Sequence, residues 1–75
     1  MKKRIEQKLI SIRPEFDFLK SDSFIDEGLL DSFDLITLVS LLDEEFNISI
    51  DGIDMTPENF SNISTIELML KKYMD

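Results

Sequence analysis

Seventy-five residues without a cysteine or a histidine point to one small domain with a thin core, because a chain this short buries only about 60% of the surface it exposes unfolded. Disulfides, thiolate nucleophiles, Cys-ligated zinc and iron–sulfur clusters are excluded, and no self-contained Ser-His-Asp or Cys-His site can be built. Sixteen acids against eight bases give −8, which argues against nucleic-acid binding, since neutralising phosphates needs a basic surface.

Residues 1–14 hold five bases against Glu6, residues 15–67 hold fourteen acids against Lys20, and residues 68–75 hold Lys71 and Lys72 against Asp75. An acidic middle of this kind attracts basic partner surfaces, or simply keeps the chain in solution. Glu6, Gln7 and Lys8 interrupt any apolar stretch behind Met1-Lys2-Lys3-Arg4, so no signal peptide is read. No apolar run reaches the length of a membrane span. The expectation is a soluble, cytoplasmic, monomeric protein.

Ile5, Leu9, Ile10 and Ile12 recur at helical spacing and predict a first helix over 2–13, ended by Pro14. Residues 14–31 keep no period. Phe16, Phe18, Leu19, Phe24, Ile25, Leu29 and Leu30 are scattered among polar residues and Gly28, which reads as a long loop with apolar anchors. Asp31 offers an N-cap for a strong helix over 32–46. With Phe33 at the zero of a helical wheel, Leu35, Leu38, Val39, Leu42 and Phe46 share one arc, the core face. Phe33, Thr37, Ser40 and Glu44 lie opposite, with Ile36 and Asp43 nearby. Two features are awkward for a helix that only has to fold. Phe33 and Ile36 face solvent beside Ser32, and Asp43, Glu44 and Glu45 crowd the negative end of the helix dipole.

Residues 47–54 form a turn-rich connector. Thr56 and Pro57 open a short helical turn over 56–60. Ser64-Thr65-Ile66-Glu67 reads as a capping box for a last helix to about Tyr73, with Ile66, Met69, Leu70 and Tyr73 inward.

A calcium loop can be laid over Asn47, Ser49, Asp51, Gly52 and Glu58, but the template wants an apolar residue where Asp54 stands, and Pro57 intrudes. Asp26, Glu27, Asp31 and Asp34 read as a charged loop, and no metal site is expected. Ser32 has two readings. It is an ordinary helix-start residue, or its hydroxyl sits at a positively polarised N-terminus that favours an attached phosphate. With no histidine to activate that hydroxyl, any modification falls to another enzyme.

Glu27-Gly28-Leu29-Leu30-Asp31-Ser32-Phe33-Asp34 resembles the Asp-Ser-Leu modification motif of acyl and peptidyl carrier proteins. Leu38-Val39 with Leu42, Asp43-Glu44-Glu45-Phe46, a connector ending in Ile50, and the Phe60…Ile66 approach to the last helix extend the likeness over nearly the whole chain; residues 1–20 match least distinctively. The resemblance implies that Ser32 carries 4′-phosphopantetheine, transferred from coenzyme A by a magnesium-dependent phosphopantetheinyl transferase, with Asp31 helping to position it. The arm's thiol would hold an acyl or aminoacyl group as a thioester, a bond that a chain without cysteine can make only on a borrowed thiol. Phe33, Asp34, Ile36, Thr37, Ser40, Asp43 and Glu44 would dock the basic patches of that transferase, of a loading ligase and of acyl-transfer enzymes. Phe33 replaces the commoner Leu, and Thr37 stands where many fatty-acid carriers have an acid; both departures favour a specialised stand-alone carrier, of which the D-alanine carriers of cell-wall modification are one kind.

The expected fold is therefore all-α. It is a small four-helix bundle like an acyl carrier protein, one domain over 1–75, with a long loop between helices 1 and 2 and a short third helix. Its core would hold Ile5, Leu9, Leu35, Leu38, Leu42, Phe46, Ile66, Met69 and Leu70, and it would have no catalytic activity of its own. The alternative is an acidic helical interaction module that is never modified.

Overall fold

Ile5 and Leu9 stand one helical turn apart and are both fully buried, which turns a strongly basic segment into the amphipathic helix α1, Lys2–Ile12. Ile10 stays partly exposed. The computed structural model describes residues 1–74. Two further helices follow, α2 at Ser32–Phe46 and α3 at Ile63–Lys71, with short 3₁₀ turns at Phe18–Lys20 and Gly52–Asp54. Among the described residues there is no strand. The radius of gyration of 11.1 Å matches the value of about 11 Å for a chain of this length packed as one unit.

α1 and α2 run antiparallel, as two ion pairs show. Arg4 at the start of α1 meets Glu45 at the end of α2, and Arg13 just past α1 meets Asp34 near the start of α2. α3 packs on α1 as well, and Lys2 reaches Ser64 at 3.3 Å. Leu38, Leu42, Ile66, Met69 and Leu70 close the core from the other two helices. Leu35 and Phe46, expected inside, are only partly buried and lie against its edge.

The first loop does more than connect. Phe18 and Phe24 are buried and meet edge to face, with centroids 5.1 Å apart. The Asp17 carboxylate accepts from the Leu19 N–H and caps the turn that delivers Phe18. The Phe24 N–H then donates to the Ser61 carbonyl at 2.7 Å, and Asn62 Nδ2 donates to the Asp22 carbonyl. These bonds tie the loop to the start of α3.

Two expected elements differ. The short helix over 56–60 is a hydrogen-bonded turn, in which the Phe60 N–H reaches the Thr56 and Pro57 carbonyls and Phe60 drops into the core. Five residues give too few internal bonds to offset helix nucleation. The cap of α3 is Asn62, two residues ahead of the expected Ser64. Its carboxamide oxygen accepts from the Thr65 N–H, and Thr65 Oγ1 accepts from the Asn62 N–H, a reciprocal box. Asn62 wins because the loop bond to Asp22 holds it in place.

Candidate functional site

The approach to Ser32 is set by a tight turn. Gly28 adopts φ +79°, which a side chain would strain although no atom lies in its way. The N–H groups of Leu29 and Leu30 then both donate to the Phe24 carbonyl, and Leu30 is buried. With Leu30 anchored, Asp31 leaves the loop extended and caps α2.

The cap is reciprocal. Asp31 Oδ1 accepts from the Asp34 N–H at 2.9 Å, and Asp34 Oδ2 accepts from the Asp31 N–H at 3.2 Å. Ser32, the first helical residue, lies between these partners and is exposed. Its hydroxyl makes no hydrogen bond among the described residues, because Asp31 has taken the capping role that a serine could have filled. The Asp34 N–H holds the Asp31 carboxyl below the usual carboxylate range, and the Arg13 guanidinium acts in the same direction.

Arg13 was not among the residues singled out from sequence, yet it reaches both acids. Its Nε and one terminal nitrogen each lie 2.9 Å from Asp34 Oδ2, and that terminal nitrogen is 3.7 Å from Asp31 Oδ2. The Asp34 contact holds the guanidinium above its already high ordinary value. The only sequence signal was a base at the end of the first helix, and helical spacing could not say which acids it would meet.

Of the residues expected to form a docking face, some lie on the surface and others do not. Phe33 is 80% exposed and Ile36 57% exposed, and Thr37, Ser40 and Glu44 are also on the surface. The Thr37 hydroxyl donates to the Phe33 carbonyl inside the helix. Asp34 does not belong to this face: it is buried, its carboxylate used by Arg13 and the cap. Asp43 is half-buried, and its Oδ1 accepts the Ile50 N–H at 2.9 Å, which turns it toward the connector. Ile53, on the Gly52–Asp54 turn, is 80% exposed and was not anticipated.

In the residues laid over the calcium template, the Asp51 carboxylate accepts from the Ile53 N–H, and Asp54 is engaged by Lys72 and Tyr73. Among the described residues no three acids gather closely enough to hold a metal ion. No helix among them is long and apolar enough to cross a membrane. A cavity of about 290 Å³ opens between Phe18, Leu19, Ser21, Ile63 and Ser64, and no residue of α2 lines it.

Comparison with known proteins finds no matching family model, no matching curated protein and no matching solved structure. The chemistry of the site rests on its own geometry. Ser32 offers an exposed, unbonded hydroxyl at the positive end of a fifteen-residue helix, where an anionic substituent is favoured. A phosphate ester fits that position, because the hydroxyl is not needed for the cap and is not covered.

Proposed function

We propose that this chain is a discrete carrier protein of the phosphopantetheine class, with Ser32 as the attachment residue. The observation that carries the reading is the division of labour at the start of α2: Asp31 caps the helix, and the Ser32 hydroxyl is left exposed and unbonded. In attachment, Ser32 Oγ forms a bond to the phosphorus that bears the pantetheine arm. The bond from that phosphorus to the second phosphate of coenzyme A breaks, adenosine bisphosphate departs, and the serine proton passes to a base of the transferase or to solvent. Once bound, the arm supplies the thiol that this chain lacks and holds an acyl or aminoacyl group as a thioester. The chain's own part is to present Ser32, keep Asp31 ionised beside it, and display a docking face.

On this reading three helices and the turn at 57–60 are the carrier's four-helix scheme, with the short third helix reduced to a single turn. Phe33, Ile36 and Glu44 greet the transferase, the loading ligase and the acyl-transfer enzymes. The protein works in the cytoplasm as a monomer, and catalysis belongs to its partners. The cavity lies away from α2, so sheltering an acyl chain next to Ser32 requires the helices to part.

Intact mass after incubation with coenzyme A, magnesium and a promiscuous phosphopantetheinyl transferase tests this. One added phosphopantetheinyl group, absent in Ser32→Ala, is the expected result. A chain left unmodified by several transferases favours the second reading, an acidic helical interaction module. The exposed Phe33 and Ile36 serve that reading equally well.

A further inference from the structure

We infer that Arg13 is a positioning residue for the modification of Ser32, acting through the two acids that bracket the serine. The inference rests on the carrier reading and deepens it. One oxygen, Asp34 Oδ2, receives the guanidinium of Arg13 and the N–H of Asp31 together. The other side of the bracket is tied by Asp31 Oδ1 to the Asp34 N–H, and Asp31 Oδ2 lies 3.7 Å from Arg13. Arg13 therefore grips both ends of the segment that contains Ser32, from a different part of the chain. Asp34 is buried, so its carboxylate has no solvent route to the same orientation.

Charge makes the second half of the argument. Ser32 stands one residue after one carboxylate and two before another. The pyrophosphate that its oxygen must approach is an anion, and so are both the departing adenosine bisphosphate and the phosphodiester left on the serine. Two uncompensated carboxylates oppose all three. Among the described residues Arg13 is the cation paired with them; Lys20, the one base in residues 15–67, is engaged with Asp17. Arg13 thus lowers the local charge of this pair from minus two to minus one while leaving the cap intact.

The test follows the rate of phosphopantetheine attachment by intact mass in wild type, Arg13→Gln, Arg13→Lys, Asp34→Asn and the double variant Arg13→Gln/Asp34→Asn, with thermal melts of each. Arg13→Gln is expected to lower kcat/KM for attachment about tenfold, Arg13→Lys to lose less, and the double variant to recover part of the loss. The gap between wild type and Arg13→Gln narrows from low to high salt, as screening demands; in a purely structural role the rate loss would follow the loss of melting temperature across the variants and salts, and here it exceeds it. A folded Arg13→Gln labelled at the wild-type rate overturns the inference, as does a slowing that neither salt nor Asp34→Asn relieves. If Arg13→Gln does not fold, Arg13→Lys and the salt dependence decide the same question. A wild-type chain that takes no label removes the carrier reading and this inference with it, whereas a labelled wild type beside an indifferent Arg13→Gln removes the inference alone.

Discussion

The guanidinium of Arg4 donates to the Glu45 carboxylate at 2.6 Å and to the Glu45 backbone carbonyl at 3.0 Å. It also lies 4.4 Å from the centre of the Phe46 ring, and Lys8 adds a second cation 3.2 Å from Glu45. An acid in the last turn of a helix faces the negative end of the dipole. Here the first turn of α1 supplies the missing positive charge and satisfies one of the terminal carbonyls of α2 at the same time. Asn47 completes the stop by entering the left-handed region at φ 55°, with its N–H on the Asp43 carbonyl.

Arg4→Ala is therefore expected to lower the melting temperature by roughly a few degrees, and Arg4→Lys by less, because lysine keeps the charge but not the fork. High salt should shrink both effects. Circular dichroism melts at two ionic strengths check this; an Arg4→Ala melt equal to wild type at low salt would contradict the capping account.

Stability should fall on both sides of neutrality. Glu45 is held below the ordinary carboxylate range by Arg4 and then Lys8, Asp54 by Lys72 and then Tyr73, and Asp31 by the Asp34 N–H. Each is more acidic folded than unfolded. Its contribution is complete above the ordinary value of about 4 and is lost as pH falls through the depressed folded value. Lys72 and Tyr73 are both raised by Asp54. Their contribution is complete below the ordinary value of about 10 and is lost as pH rises through the folded values. Urea midpoints across pH should show a plateau with two falling limbs, the acid limb shallower in Glu45→Gln and the alkaline limb shallower in Tyr73→Phe. Unchanged limbs in these variants would remove the assignment.

Burial separates the apolar residues that hold the fold from those free for partners. Leu42 and Phe60 are fully buried, so Leu42→Ala should cost about 2–5 kcal/mol and Phe60→Ala about 3–5 kcal/mol. Phe33→Ser and Ile36→Ser should each stay within about 0.5 kcal/mol of wild type, yet weaken capture by a transferase or ligase on the carrier reading. Urea unfolding gives the first comparison, and the concentration dependence of attachment gives the second. A large stability loss in Phe33→Ser would mean that this side chain is not presented as described.

Asn62 does two separable things. Asn62→Ala should cost about 0.5–2 kcal/mol for the cap, with a further loss for the bond to the Asp22 carbonyl. Asn62→Asp keeps the capping oxygen and removes only that loop bond. Hydrogen exchange at Phe24, whose N–H donates to the Ser61 carbonyl, should quicken in both variants. Protection equal to wild type would show that the loop is held by packing alone.

How much of this was legible depended on the range of the physics involved. The bounds of α2 and its Asp31 cap were readable because apolar period and capping act within a few residues. Ser32 was singled out on the same local grounds. The resemblance put Asp34 on the docking face, yet it is buried and paired with Arg13 from just beyond another helix. Phe18, Phe24 and Leu30 carry no period, so their places in the core could not be assigned from spacing. The shift of the α3 cap from Ser64 to Asn62 has the same origin: both residue types cap well, and a loop forty residues away selected one.

By itself, then, the chain of residues determined a histidine- and cysteine-free helical protein, its strongest helix, and a serine at that helix's positive end, since composition and short-range periodicity need no folded context. Only the tertiary structure decided which charges meet. Arg4 and Lys8 on Glu45, Arg13 on Asp34, and Lys72 and Tyr73 on Asp54 are pairs whose partners stand eighteen to forty-one residues apart. Such pairs form where helix packing brings the two groups together, and no spacing along the chain encodes that.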